Sequence, residues 1–433
     1  MKQIKIGLLG FGTVGQAVYK LLTENAKNIV ERTGFLPVIV KVLVRDLKKK
    51  RNLPVDPKLL TTDPKEILEN EEISIVCELM GGIKPAEEFI LSALDRGKAV
   101  VTANKALLSE RGEKIFSLVN ERRLYLGFEA SVGGGIPIIK TMKEALVGNK
   151  IKRIVGIANG TTNYILTQML EKGMDFAKAL RLAQEKGFAE ADPSLDLKGI
   201  DSAHKLSLLA SLAFNFFIPF DRVYVEGIDK IELIDLEFAR QFGYIVKLLA
   251  IAKENKERYE IRVHPALIPV KHILTSVRFN YNAFYIQGDF VGDILLYGLG
   301  AGGAPTASAV VSDIVDAIEF LTTGKRGLIS YPQHEEEKLE KIKPIEECEF
   351  RYYFRFQAVD KPGVLSKISG ILGKYGISIA SVVQIGRQKG KGTVPIVMLT
   401  HETKEGLVSK ALSEISKLDV VQGEVKKIRI FEG

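Results

Sequence analysis

Residues 4–15 read "IKIGLLGFGTVG". The first six are largely apolar and stop at Gly10, as a parallel strand buried on both faces does. Gly10, Gly12 and Gly15 follow in the spacing G-x-G-x-x-G, and a helical pattern begins at Val14. Such glycines permit a tight turn and let backbone approach a pyrophosphate, while the helix N-terminus offers it free N–H groups. A glycine turn of purely structural purpose is the plainer alternative. The strand–turn–helix setting favours a dinucleotide.

Outward from that loop, the helical pattern runs to about residue 29. "VIVKVLVR" (38–45), "ISIVCELM" (73–80), "KAVVTA" (98–103) and "LYLGFEA" (124–130) follow as strands, with helices between most of them. This alternation predicts an α/β fold, with a Rossmann-type doubly wound parallel sheet over residues 1–135. From residue 136 the pattern mixes. Helices are expected at 136–146, 163–172, 176–186 and 201–217, and strands in "KRIVGIA", "YEIRVHPALI" and "AFYIQGD". Residues 224–228 and 276–280 are further strand candidates, giving a second, α+β domain over 136–303. "YGLGAGGAPTASAVVSDIVDAIEFL" (297–321) is another glycine loop opening a helix, and residues 304–325 are expected to complete the first domain. The polar stretch 326–349 reads as a linker. Residues 350–433 run strand, helix, strand, strand, helix, strand, the ferredoxin-like plan.

With 433 residues, 46% hydrophobic and 26% charged, the composition is that of a globular protein with two or three domains. The formal charge of +8 would suit an anionic ligand. Basic and acidic residues alternate, as in "KEILENEE", and no nucleic-acid motif occurs, so nucleic acid is not an expected partner. No apolar run is long enough for a membrane span. Two cysteines, Cys77 and Cys348, lie far apart without metal-ligand spacing, which fits the reducing cytoplasm. An intersubunit bridge through Cys348 stays open.

Residues 187–205, "GFAEADPSLDLKGIDSAHK", bring together Glu190, Asp192, Asp196, Asp201, Lys198 and Lys205. On a helix starting near Asp201, Leu206, Leu208, Leu209 and Leu212 share one side, and His204, Ser207 and Ser211 the other. Lys205 falls on the leucine side, with Asp201 one turn earlier. A surface pair, worth about 0.2–0.5 kcal/mol, belongs on the serine side instead. A charge is costly to bury unless it is paired or used. Lys205 is therefore expected in a cleft beside Asp201, and His204 in solvent. A lysine so placed can protonate a carbonyl oxygen as hydride arrives, while Glu190 and Asp196 hold a substrate ammonium. The pattern predicts a nicotinamide-dependent dehydrogenase for a small amino-acid-like substrate. Arg45, at the end of the second strand, suits the 2′-phosphate of NADP; Asp46 keeps NAD open.

The chain resembles homoserine dehydrogenase through "GFGTVG", "VTANKALL", "FEASVGGGIPII", "GIANGTTNYIL", "GFAEADPSLDLKGIDSAHKL" and "GAGGAPTASAVVSDI", which together span most of residues 1–325. That family interconverts L-homoserine and L-aspartate 4-semialdehyde with NAD or NADP, serving threonine, methionine and isoleucine biosynthesis. The resemblance implies that residues 136–303 carry catalysis and dimerisation. It makes Lys205 the proton donor or acceptor, with Asp201 beside it and Lys105 as a second lysine near nicotinamide and substrate. It assigns substrate binding to Glu190, Asp196, Gly160 and Thr161, although Thr161 or Thr162 also suits a plain helix cap. Cofactor contacts fall on Gly10, Phe11, Gly12, Thr13, Val14, Gly15, Arg45, Thr102, Lys105, Gly302 and Gly303. A monovalent cation, typically Na+, is implied at the Glu129 carboxylate and the carbonyls of Val132, Gly134 and Ile136. "AVDKPGVLSKISGILGKYGISIASVVQ" (358–384) resembles an ACT domain, implying L-threonine as effector, with pure oligomer support as the alternative, in a homodimer or homotetramer.

Two competing functions remain at this level. Another NAD(P)-dependent amino-acid dehydrogenase would need a different cleft from that of Glu190, Asp196, Asp201 and Lys205. A catalytically dead amino-acid sensor would not need the Lys105 and Lys205 pair.

Overall fold

The computed structural model describes residues 2–324, 330–384, 386 and 392–433. Residues 326–329 of the expected linker lie outside them.

The first sheet contains β1 (Lys2–Leu9), β2 (Phe35–Leu43), β3 (Leu60–Thr61), β4 (Ile73–Glu78), β5 (Ala99–Thr102) and β6 (Leu126–Gly127). All pairings are parallel, in the order β3-β2-β1-β4-β5-β6. The order reverses between β1 and β4, so their carboxyl ends flank a crevice of the kind that takes ligands in doubly wound sheets. The expected first helix is two helices, Thr13–Glu24 and Ala26–Thr33, parted at Asn25. β2 stops at Leu43, and Arg45 and Asp46 stand in an exposed loop beyond it. The helix Gly303–Thr323 lies on one face of this sheet, where Ala307, Val310 and Ile314 share a core with Ile6, Leu8 and Val101.

The second sheet is larger. Its strands are β7 (Ile151–Ile157), β8 (Tyr224–Val225), β9 (Tyr244–Asn255), β10 (Arg258–Pro269), β11 (Tyr281–Gly288), β12 (Gly292–Leu299), β13 (Glu349–Val359), β14 (Ile379–Gln384), β15 (Thr393–Thr400), β16 (Thr403–Lys404) and β17 (Lys426–Ile430). Nine run in the order β12-β11-β7-β9-β10-β17-β13-β15-β14. β13 to β17, with the helices Val364–Lys374 and Glu405–Ile415, make the expected βαββαβ unit. Unexpectedly, that unit is continuous with the middle region: β17 pairs in parallel with β10 through Ala266↔Arg429 and Leu267↔Ile430. The sheet is also clamped by buried charge. Arg355 of β13 donates from Nε to Asp235 Oδ1 at 2.6 Å, and Tyr353 donates its hydroxyl to the same oxygen at 3.0 Å. Arg429 of β17 reaches Glu226 at 2.7 Å and Glu405 at 2.8 Å.

Several local expectations fail for physical reasons. β9, "YIVKLLAIAKEN", went unread because both faces are covered. Leu248 and Ala250 face the core shared with the helices Gly160–Lys172 and Ile200–Phe214, and Leu249 and Ile251 face a second cluster. Residues 276–280 form no strand; a 3-10 turn, Ile273–Ser276, ends where they begin, and 224–228 keeps only β8. Residues 136–146 are a short α-turn followed by a π-turn, Thr141–Ala145, after Pro137. The polar stretch after 330 is docked rather than loose: Tyr331 is buried and stacks on Phe116 at 5.6 Å. Cys348 is buried too, its thiol pushed up to about 11 mainly by burial. A bridge to another subunit through it is therefore disfavoured.

Candidate active site

The crevice begins with the glycine loop. Gly10 has φ +102°, and a Cβ on Gly15 would lie 2.5 Å from Gly10 O, so neither position accepts a side chain without displacement. Where a Cβ would stand on Gly12 there is nothing within 4 Å. That open space faces the start of the Thr13–Glu24 helix, and it fits the close backbone approach of a pyrophosphate. Thr13 is exposed, Val14 half-buried, and Phe11 buried with its ring edge-on to Tyr19. Gly303 acts in packing: a Cβ there would meet Thr13 and Ala17 at 3.2 and 3.5 Å, so its absence lets the two helices meet. Gly302, with φ +116°, makes the turn before it.

β4 and β5 end in a buried polar network. Glu78 Oε1 accepts from Met80 N at 2.8 Å and Gly81 N at 3.1 Å, and its Oε2 accepts from the Thr102 hydroxyl at 2.7 Å. The Thr102 hydroxyl also accepts from Asn104 N at 3.0 Å, so it shapes the crevice wall from inside. Asn104 caps the helix Lys105–Arg122 by accepting from Leu107 N at 3.1 Å. The cap aims Lys105 out of the first sheet and across the cleft.

There Lys105 meets the charged stretch. Its Nζ lies 3.1 Å from Asp201 Oδ1, while Lys205 Nζ donates to Asp201 Oδ2 at 2.7 Å. Lys205 is buried and also donates to Ala158 O at 2.7 Å. Two of its three N–H donors are thus fixed, leaving one for another acceptor. Burial opposes ionisation of Asp201, yet the two lysines win and hold its carboxyl far below the usual range. Lys105 is raised, first by Asp201, with Asp196 and Glu190 adding smaller attractions.

Asn159 joins the carboxylates, a role that sequence reasoning missed. Its Nδ2 donates to Asp196 Oδ1 at 2.6 Å and to Asp201 Oδ2 at 2.9 Å. Its Oδ1 accepts from Thr162 N at 2.8 Å, so the cap of the Gly160–Lys172 helix is Asn159 rather than Thr161 or Thr162. Burial raises Asp196, and the charge of Asp201 adds to it. Glu190 is exposed at the rim. The Thr161 hydroxyl donates to Phe188 O at 2.6 Å, holding the loop that carries Glu190. Gly160 passes Asn280, whose carbonyl would lie 2.7 Å from a Cβ there.

His204 is not in solvent. It is buried against Phe220, with Nε2 3.2 Å from Glu110, and burial lowers its pKa. The serine side of its helix is buried as well, because Ser207 donates to Ile218 O at 2.6 Å and Ser211 accepts from Ile218 N at 2.9 Å. Asp201 and Lys205 are in turn backed by the segment after β8. Ile228 N donates to Leu197 O at 2.8 Å, and a Cβ on Gly227 would lie 2.1 Å from that oxygen.

The turn at 129–136 holds the Glu129 carboxylate in a fixed orientation by backbone N–H groups, with a lone pair left on each oxygen. Both Glu129 oxygens already accept, from Ile139 N at 2.9 Å and Lys140 N at 2.7 Å. Ile136 O accepts from Ile138 N at 2.8 Å, and the carbonyls of Val132 and Gly134 stand in the same turn. Beside them sits Asp313, a second buried acid missed in the sequence; it accepts from Glu129 N at 2.8 Å, and burial pushes its carboxyl well up.

Among the described residues, no helix is long and apolar enough to cross a membrane. Residues 137–315 match the family model of homoserine dehydrogenase, 10–129 that of the homoserine dehydrogenase NAD-binding domain, and 352–420 that of the ACT domain. The homoserine dehydrogenase of Pseudomonas aeruginosa is 41% identical over 432 residues, covering 99% of each chain. The crystal structure of a homoserine dehydrogenase from Thiobacillus denitrificans superposes with TM-score 0.91 at 42% identity, over 100% of this chain and 99% of that one. A hyperthermophilic archaeal homoserine dehydrogenase mutant in complex with NADPH superposes with TM-score 0.64 at 27% identity, over 76% of this chain and all of that one.

Proposed function

The chain belongs to the homoserine dehydrogenase family of NAD(P)-dependent oxidoreductases, and from that membership and the cleft geometry we propose that it interconverts L-homoserine and L-aspartate 4-semialdehyde. The observation that carries the proposal is Asp201, which clamps Lys105 from the first sheet and Lys205 from the second region within one cleft.

Gly10 to Gly15, the loop bearing Arg45, and the Gly302–Gly303 turn would hold NAD or NADP, which supplies the hydride acceptor or donor when bound. Lys205 directs its free N–H at the reacting oxygen. As the ammonium it gives a proton to that oxygen, directly or through one water, when aldehyde is reduced and is left as the neutral amine; in the reverse direction the neutral amine takes the hydroxyl proton as alcohol is oxidised and becomes the ammonium. Asp201 orients both lysines and favours the charged form of Lys105. Lys105 stabilises the same oxygen from the side of the nucleotide sheet. Asp196 and Glu190 bind the substrate ammonium, and Asn159 fixes the distance between that group and the proton-transfer lysine. No step is assigned to a monovalent cation.

The division is into residues 1–135 completed by 304–325, a catalytic and dimerisation region over 136–303, a connection over 326–349, and a regulatory unit over 350–433; the matches at 10–129 and 352–420, and the core that the Gly303–Thr323 helix shares with the first sheet, support it. L-Threonine is the proposed effector of the last unit. The activity is placed in threonine, methionine and isoleucine biosynthesis, in the cytoplasm, in a homodimer or homotetramer. The test is steady-state oxidation of L-homoserine at the nicotinamide absorbance, with NAD and NADP in parallel and with L-threonine added. Turnover preferring NADP supports the role of Arg45; no turnover with either cofactor, from folded protein with Na+ or K+ present, sinks the assignment.

A further inference from the structure

Lys247, on β9, is a buried basic group that the mechanism above leaves unused. Its Nζ donates to Asn163 Oδ1 at 2.7 Å and to Val277 O at 2.6 Å, and neither acceptor is a carboxylate. Burial disfavours its ammonium form and Arg278 adds to that, while Glu171 opposes it. A neutral amine has two N–H donors, and here both are used.

Those two bonds belong to a larger tie. Asn163 stands on the Gly160–Lys172 helix and is itself buried. Its Nδ2 donates to Val277 O at 3.3 Å and to Tyr281 O at 3.1 Å. One helical turn later, the Thr167 hydroxyl accepts from Phe279 N at 3.2 Å. Lys247, Asn163 and Thr167 thus fasten the turn at 277–281 to that helix by its backbone. The turn in its own right presses on the substrate side of the cleft. Asn280 O would lie 2.7 Å from a Cβ on Gly160, so the turn and the helix start are in close contact. The Phe279 ring lies 6.5 Å from that of Tyr164, which packs 4.9 Å from Phe188. Phe188 O accepts from the Thr161 hydroxyl at 2.6 Å, and Glu190 follows two residues later. Both routes end at residues given to the substrate, and neither runs through the nucleotide loop.

We propose that Lys247 is a positioning residue for the substrate: with Asn163 it sets the 277–281 turn, and the turn sets Gly160 and the loop that carries Glu190. The role rests on the homoserine dehydrogenase activity proposed above. Lys247 acts through these neighbours and not on the reacting oxygen, so its removal weakens substrate binding more than it slows hydride transfer.

The test is steady-state kinetics at pH 8, with L-homoserine and the nicotinamide cofactor varied in turn. Lys247→Met should raise the KM for L-homoserine about 10-fold, the order expected for breaking a buried hydrogen-bonded tie. It should leave the KM for the cofactor within about 2-fold and lower kcat by less than it raises the homoserine KM. Thr167→Val keeps the side-chain shape and removes one tie, so it should raise the same KM about 3-fold. Asn163→Leu should act like Lys247→Met, and the double variant should be no worse than either, because both break one unit. Thermal unfolding shows which variants are folded; where Lys247→Met is not, Thr167→Val decides. An unchanged homoserine KM in the folded variants, an equal rise in both KM values, or additive effects of Lys247→Met and Asn163→Leu would overturn the proposal. A folded wild-type chain without turnover is a different result: it would remove the activity itself, and this role with it.

Discussion

The decisive pairings at the residue scale involve lysines in different roles. Lys205 is buried, paired and left with one free donor in the cleft. Lys205→Ala is expected to lower kcat by about 10²–10⁴-fold, the usual contribution of a positioned acid or base, with the dissociation constant for NADPH nearly unchanged. Stopped-flow turnover and nucleotide fluorescence read the two separately; near-normal kcat would remove Lys205 from proton transfer. Lys247 is buried without a carboxylate, donating to Asn163 Oδ1 at 2.7 Å and Val277 O at 2.6 Å. Burial lowers its pKa to about 7. The unfolded chain, with a lysine pKa near 10.4, then binds more protons than the folded one between those values. Stability from this group therefore rises with pH from about 7 to 10. Urea unfolding at pH 7, 8, 9 and 10 should show wild type gaining on Lys247→Met across that range; a constant difference would mean that Lys247 stays charged when folded.

At the scale of elements, the Ile200–Phe214 helix shows what the sequence could and could not convey. Asp201 and Lys205 were legible because i,i+4 spacing is local, and a lysine among leucines is anomalous. Asn159 was not, because it reaches Asp196 and Asp201 only through folding. His204, Ser207 and Ser211 were misplaced because periodicity marks the more polar side, and here that side is buried by mutual hydrogen bonds. β9 was lost for the complementary reason: a strand covered on both faces has no alternation to detect. The glycine loop was legible because its chemistry is carried by adjacent residues. The segment after β8 braces the short Ser194–Leu197 helix, which carries Asp196 and leads into the active helix, through Gly227, where a Cβ would lie 2.1 Å from Leu197 O. Gly227→Ala is expected to cost about 1–3 kcal/mol of stability by overpacking and to lower kcat more than it changes NADPH affinity. Equal losses in both would mean that the segment supports the fold without positioning Asp196 and Asp201.

Across the whole molecule, the middle region and the ACT-like unit are one continuous sheet held by buried ions. Asp235 is fully buried and meets Arg355 with two hydrogen bonds. Removing one partner leaves an uncompensated charge. Arg355→Met should therefore cost about 3–5 kcal/mol, and the double change Asp235→Leu with Arg355→Met should recover much of it. Urea unfolding measures both; a double variant as unstable as the single one would mean that the pair is needed for its geometry rather than its charge balance.

The place of β17 sets the order in which the molecule can be finished. It is the last of the described strands along the chain, yet it lies between β10 and β13 inside the sheet. A nascent chain leaving the ribosome presents the other described strands first. Until residues 426–430 emerge, β10 and β13 have no partner to bridge them, and each keeps an open edge that a second nascent chain could meet. Residues 426–430 must therefore be made before the catalytic and ACT-like halves can lock together.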